Sequence, residues 1–427
     1  MTKPTLISKW TLLEKVTFRF SFIYFSLFII IHNNGAYPFW DKLMSVPTDW
    51  LHKFIPWIAK NILNLPKTIT TFTNGSGDTT YDYVIVLVIF IVAILGTIIW
   101  SVLDRNREHY KKMFYWLTVA IRFYVGLMLI SYGLVKIIKL QFGYPSFSRL
   151  IQYYGESSPM GLAWTFLGFS KGYNVFMGIA EVLAGLLFFR RTMTAGAIIT
   201  LMTAANVMAV NYFYDVPVKL LSTHLVLMTL FLLLRDIKTL FAFFFKGETV
   251  QLKVIEKPIL KKRWLEITGQ TFKGLIIGYA LIYGMISVLN AQKEYGENAQ
   301  KPEYYGLYKI TYFEKNNEIV PASNTVRNRW EYFIIERKGM AQIKNTDNTL
   351  SYYKMEADTL KNEMTLSSYR DTTDVFTIKI QKNEASFNFE TINKADSIKA
   401  SGNVLKKEDF LLMNRGFNLI NEYPYNR

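Results

Sequence analysis

The feature that most constrains this chain is a series of long, almost uninterrupted apolar runs within its first 290 residues. A bilayer crossing takes about 20 largely apolar residues. Seven runs approach or reach that length: 17–34, 83–103, 113–135, 173–189, 193–213, 217–235 and 270–290. The fourth and sixth are short and share tight connections. The first is preceded by Lys3, Lys9, Lys15 and Arg19 and followed by His32-Asn33-Asn34-Gly35 without a small-x-small cleavage pattern, so it reads as a signal anchor that is retained. Only helices and closed barrels satisfy every backbone group in hydrocarbon. The expected fold of this part is therefore an α-helical polytopic membrane protein with about seven transmembrane helices.

Charge refines the picture. The 427 residues carry Lys+Arg 49 against Asp+Glu 33, a net +16. Residues 1–290 hold 29 basic and 14 acidic groups, whereas 291–427 hold 20 and 19, so the imbalance divides into +15 and +1. The nearly neutral tail has no basic stripe, and no nucleic acid is expected as a partner. With a cytoplasmic N-terminus, the inside segments hold 18 Lys+Arg and the outside loops 9. This bias places the N-terminus inside and, after seven spans, the C-terminal part outside a bacterial inner (cytoplasmic) membrane. Membrane lipid is then the first expected partner. The absence of cysteine excludes disulfides, thiolate catalysis and Cys-ligated metal within this chain. A bis-His haem site would have to pair His224 with His32 from another depth, so haem is disfavoured. No metal site and no cofactor is evident.

Four regions follow. Residues 1–112 contain two spans and an outer segment, 35–80, where Pro38, Pro47, Pro56 and Pro66 alternate with Trp40, Trp50 and Trp57, suited to short amphipathic helices at an interface. Residues 113–240 form a four-helix unit, and 241–295 a basic loop and the last span. Residues 296–427 read as a C-terminal all-β extramembrane domain. Its strands are expected at 305–313, 330–336, 341–344, 350–355, 363–367, 375–380, 385–390 and 397–405, separated by turn signals such as Lys315-Asn316-Asn317 and Lys338-Gly339. Eight short strands suggest an antiparallel meander, either a small closed barrel or a sandwich, with Trp330 as core anchor.

Ionisable groups inside apolar runs are costly and frequently functional. At 1.5 Å per residue from the charged flanks, Arg122, Glu181 and His224 each lie about 14–16 Å deep. Gly126, Gly133 and Lys136 share a helical face with Arg122, and Gly178 and Gly185 lie beside Glu181. The expectation is an Arg122–Glu181 ion pair with His224 nearby, serving either to fix helix register or to hold a ligand or relay protons. Near the outer surface, Asp215, Pro217 and Lys219 supply turn chemistry, with Asp215 and Lys219 able to pair across the turn. Asn206 and Asn211 either support this turn or line a headgroup or quinone pocket with Tyr212 and Tyr214.

The stretch Arg122-Phe-Tyr-Val-Gly126…Ser131-Tyr-Gly133-Leu-Val-Lys136, then Gly178-Ile-Ala-Glu181-Val-Leu-Ala-Gly185, Arg190-Arg-Thr and Thr203-Ala-Ala-Asn206 resembles the DoxX/DoxD family of four-helix membrane proteins over about 113–240. It is similar also to MauE-type membrane proteins. The family's early arginine, Gly-x-x-Lys and Glu-x-x-x-Gly match Arg122, Gly133/Lys136 and Glu181/Gly185. The resemblance implies a membrane subunit linked to quinone-dependent or thiol-related oxidoreductases, in which any thiol chemistry would belong to a partner protein.

Two functions are left. In the first, the four-helix unit binds a quinone, with Arg122, Lys136 and Glu181 holding its polar head or relaying protons and His224 tuning that step, alongside a redox partner protein. In the second, the helices are a non-enzymatic anchor and assembly platform whose outer β-domain binds a periplasmic partner, lipid or glycan. No nucleotide loop, metal cluster or nucleophile–base pair is present in the sequence.

Overall fold

A computed structural model describes residues 9–71, 77–259, 262–323, 325–326, 328–371, 373–392 and 396–426. Lys3, counted above among the basic flanks, lies outside them. The chain divides into two compact units, one of residues 1–142 and 158–292, the other of 143–157 and 293–427.

The first unit is helical. It begins with α1 (Leu12–Ile31), whose N-terminus is closed by a reciprocal Thr11–Glu14 capping box. The short α2 (Trp40–Leu43) and α3 (Ser45–Asn61) follow. Ile55, Ile58 and Ala59 of α3 pack against Val84 and Ile85 of α4 (Thr80–Leu103), leaving Trp50 and Trp57 exposed. This is the amphipathic arrangement anticipated for 35–80. Then come α5 (Lys111–Ile137), α7 (Pro159–Phe169) and α8 (Lys171–Val182), which tightens into a 3₁₀ stretch over Leu183–Phe188. α9 (Met193–Phe213) and α10 (Lys219–Leu234) form a hairpin, and α11 (Ile237–Lys246) is a short aromatic helix. α12 (Arg263–Gly278) passes through a π turn at Tyr279–Tyr283 into α13 (Gly284–Tyr295).

Among the described residues, five helical segments are long and apolar enough to cross a membrane: Thr80–Leu103, Lys111–Ile137, Lys171–Phe188, Met193–Phe213 and Arg263–Tyr295. The sequence suggested seven. α10 is a shorter apolar helix, and α1 carries Glu14, Lys15 and Arg19 within its first turns. Side chains of α1, α5, α9, α10 and α12 share one apolar core, centred on Phe28, Tyr124, Met128, Leu187 and Met228.

The second unit is a closed antiparallel barrel. Its strands are β1 (Gly306–Lys315), the two-residue β2 (Glu318–Ile319), β3 (Trp330–Arg337), β4 (Met340–Asn345), β5 (Leu350–Asp358), β6 (Glu363–Ser368), β7 (Val375–Lys382), β8 (Ser386–Ile392) and β9 (Ile398–Leu405). β2 sits at the edge of β1, β3 pairs with β1, each strand from β4 to β9 neighbours its predecessor, and β1 pairs back onto β9 from Leu307↔Leu405 to Lys315↔Ile398. All eight expected strands are therefore present, and the barrel alternative is the one adopted. Its interior is filled by alternating side chains, among them Tyr308, Phe333, Phe376, Phe387 and Phe389, with Trp330 buried beside Phe313, Phe333 and Phe376. An eight-stranded barrel is just narrow enough to be filled in this way.

Segment 143–157 belongs to this unit, not to the four-helix region in which the sequence placed it. Phe147 of α6 (Phe147–Leu150) is buried against the outward-facing Leu307 and Ile334. Its amide donates to Glu336 at 3.1 Å, and Lys344 Nζ donates to the Ile151 carbonyl at 2.9 Å. A short helix, α14 (Leu411–Asn414), follows β9.

Closure depends on one glycine. β1 carries a bulge between Ile310 and Tyr312, which switches its inward positions from Tyr308 and Ile310 to Phe313. Gly402 lies opposite, where a Cβ would overlap the Lys309 carbonyl oxygen and approach the Thr311 amide to 2.9 Å. Gly402→Val should destabilise the barrel by about 1–3 kcal/mol and speed hydrogen exchange of β1 and β9 amides while sparing the helical unit. Unchanged exchange would contradict closure through this pairing.

Candidate functional site

The helical core contains a buried ion pair built on a backbone contact. α5 and α8 run antiparallel, with Gly126 against Phe188, Ile130 against Gly185, and Gly133 against Gly178 and Val182. A Cβ at Gly133 would stand 2.6 Å from the Gly178 carbonyl oxygen, and one at Gly178 would stand 2.6 Å from that of Gly133. Only glycine on both helices permits this approach. Three residues further along each helix, Lys136 and Glu181 meet, with Nζ 2.6 Å from Oε1 and 2.8 Å from Oε2. Both residues are buried, at 5% and 2% exposure. Tyr132 and Phe142 place their rings 5.6 and 5.8 Å from the ammonium.

Arg122 is not Glu181's partner. Its Nε donates to the Leu187 carbonyl at 2.5 Å. The contacts along α5 and α8 place Glu181 level with about residue 133, some 11 residues and roughly 17 Å along the axis from Arg122. Counting depth from the charged flanks failed because they do not mark one level: α5 starts about three turns beyond the tight Phe189–Thr192 connection. The 3₁₀ stretch ends there, and its final carbonyls need donors. Arg122 serves Leu187, Lys273 serves Phe188 at 2.6 Å, and Thr192 serves Leu186 at 2.7 Å.

His224 lies apart from both. Its Nδ1 is 2.7 Å from the Leu220 carbonyl, and its Nε2 is 2.7 Å from the Tyr24 hydroxyl. A carbonyl only accepts, so Nδ1 carries the proton of the neutral ring and Nε2 accepts from Tyr24. The imidazole stacks on Phe28 with centroids 3.7 Å apart, and His32 stacks on that same phenyl ring at 4.9 Å. Among the described residues there is no group of three or more His, Asp or Glu side chains placed to hold a metal ion.

The turn chemistry matches expectation. Asp215 adopts a positive φ of 52°, and Lys219 Nζ lies 2.9 Å from its Oδ1 across the turn containing Pro217. Asn211 is buried and reaches the Val218 carbonyl at 3.3 Å. Asn206 is exposed on α9, and Tyr212 meets Thr223 at 3.1 Å. Two further anchors escaped sequence reasoning. Asp78 accepts from the amides of Lys219 and Leu220 at 2.7 and 2.9 Å, capping α10 from far away in sequence. Arg19, counted only as a basic flank, is buried at 1% exposure and bonds Tyr110, Ser101 and the Asp104 carbonyl. Its position inside an apolar run was the available signal.

Removing one partner of a buried pair strands a charge, at a cost of about 3–5 kcal/mol, whereas replacing both by apolar groups is often neutral. Glu181→Gln should therefore lower thermal stability markedly, and Lys136→Met/Glu181→Met should recover most of the loss. A double variant as unstable as the single one would show that the charges do more than hold the helices.

No family model and no solved structure matches the chain. Among curated proteins, the chain is similar to the "Uncharacterized protein YwoB" of Bacillus subtilis (strain 168), 32% identical over 156 residues, which are 36% of this chain and 96% of YwoB. This chain spans nearly the whole of that relative and continues well beyond it, and it belongs to the YwoB family.

Proposed function

We propose that this protein is a non-enzymatic membrane anchor and assembly platform, in which a bundle of membrane-spanning helices displays an extracytoplasmic β-barrel to a partner protein. The observation that carries the reading is that Lys136, Glu181 and His224, three of the residues a redox site would use, spend their polar contacts within the protein. Glu181 is met by Lys136 through both oxygens, and both nitrogens of His224 are occupied. The barrel interior is likewise filled with aromatic and aliphatic side chains, so recognition falls to its outer surface. In the segment after α14, Phe417, Leu419, Ile420 and Tyr423 are all exposed.

The helix ends support the topology. Asp78 joins the start of α4 to the start of α10, and Gln292 near the end of α13 bonds the carbonyl of Ile138 past the end of α5. At the opposite end, Arg19 joins the start of α1 to the end of α4, and Arg190 bonds the Ile255 carbonyl. These pairings suit seven alternating passes, with α1 and α10 crossing despite their charge or shortness. Segment 143–157 packs on the barrel, which puts that loop and the barrel on one side of the bilayer.

The redox reading keeps one supporting observation. The residues carrying the DoxX/DoxD resemblance, Gly133, Lys136, Glu181 and Gly185, are those of the α5–α8 contact. Three measurements separate the two. A reporter fused after Arg427 should be active only outside the cytoplasm, and cytoplasmic activity would contradict the odd number of passes. Photo-cross-linkers at Phe417 and Leu419 should trap one defined protein in intact cells. Solvent extraction of the purified full chain should recover no more quinone than an unrelated membrane protein yields; a stoichiometric quinone lost in Lys136→Met would replace the anchor by a redox subunit.

A further inference from the structure

Arg19 and Arg122 are both buried arginines, at 1% and 2% exposure, yet their surroundings differ. Every nitrogen of the Arg19 guanidinium donates to the protein. Arg122 makes one hydrogen bond, from Nε to Leu187 at 2.5 Å. Its two Nη groups, with four N–H donors, meet no acceptor among the described residues. The residue is 2% exposed and its fork has no protein acceptor among them, so the fork is placed at the edge of the core to hold an oxygen ligand.

The charges nearby are of one sign. Lys273 Nζ sits on the adjacent Phe188 carbonyl at 2.6 Å, beside Arg122's own acceptor. Arg190 and Arg235 are close enough to repel Arg122, and Arg122 and Arg190 to repel Lys273. Among the described residues no carboxylate pairs with Arg122, Arg190 or Lys273. The buried Asp236 is engaged by Arg235 through two bonds of 2.9 and 2.8 Å and by Thr194 at 2.6 Å. It is already taken, so an anion from outside the chain can complete the cluster around Arg122 and Lys273.

We propose that this end of the helical unit binds a phosphate-bearing anion, held by the Nη fork of Arg122 and by Lys273 and screened by Arg190. A planar fork with two parallel donors matches two phosphate oxygens, and Lys273 adds a point charge. The ligand is either the headgroup of an anionic phospholipid or free phosphate. The lipid source rests on the bilayer reading above, whereas the phosphate source does not, and the reporter fusion tests that reading separately. In the proposed topology this end faces the cytoplasmic leaflet, where anionic headgroups are abundant. The exposed aromatic helix α11, with Phe241, Phe244 and Phe245, lies next to it in the chain.

The test compares full-length protein in phosphatidylcholine nanodiscs with and without phosphatidylglycerol, and in detergent with and without inorganic phosphate, reading Tm. Arg122→Lys keeps the charge and a donor for Leu187 but removes the fork; Lys273→Gln removes the second contact; Lys246→Gln removes the same charge at an exposed site. We expect phosphatidylglycerol to raise Tm, with a midpoint about tenfold weaker in Arg122→Lys and Lys273→Gln and unchanged in Lys246→Gln. A response to inorganic phosphate with the same variant pattern, and none to lipid, assigns the site to the free anion. The proposal is overturned if neither probe shifts Tm, or if all three variants respond like the parent, which would leave the fork to water. If Arg122→Lys does not fold, Lys273→Gln against Lys246→Gln decides alone.

Discussion

The helical unit depends on the contact between α5 and α8. Two glycines let the backbones touch, and this touch brings Lys136 and Glu181 close enough for a bidentate ion pair in a dry interior. The pair and the glycines support one another: a side chain at either glycine would drive the helices apart, and without the pair each helix would carry a stranded charge. Such a pair adds little net stability over an apolar one, but it penalises every other register, since a slip of one turn leaves both charges unmatched. The rest follows from that registration. With α5 and α8 fixed, the 3₁₀ stretch ends at the level of Arg122 and Lys273, and Gly196 lets α9 turn back closely beside Leu186.

The β-domain was legible almost strand by strand because its information is local. Period-two alternation and turn residues with left-handed backbone, such as Asn316, Asn317 and Gly339, mark each hairpin, and a meander joins neighbours in sequence. The bulge opposite Gly402 and the docking of Phe147 on Leu307 and Ile334 were not legible. Both depend on how distant backbones meet.

In the helical part, the right residues were found but wrongly paired. Arg122, Lys136, Glu181 and His224 stood out as polar groups in apolar runs, and all four are buried. Pairing them required relative helix levels, which charged flanks do not supply when one helix begins about three turns beyond the next connection. Lys136 also counted toward an outer loop, although its long side chain reaches back to Glu181. Arg19 and Asp78 were overlooked for the same reason: each works through a partner far away in sequence.

This division of labour suits the proposed role. Lys136, Glu181, Arg19 and His224 in the helical unit are met by protein groups, while the barrel's surface is left for recognition. The most direct test of the α5–α8 registration uses the absence of native cysteine. Ile130→Cys/Gly185→Cys joins positions where a Cβ at 185 stands 3.5 Å from the Ile130 side chain, and the full-length double variant can be oxidised in native membranes. The account predicts rapid, nearly complete intramolecular cross-linking for this pair and none for Arg122→Cys/Glu181→Cys. Cross-linking of the second pair, or failure of the first, would contradict it.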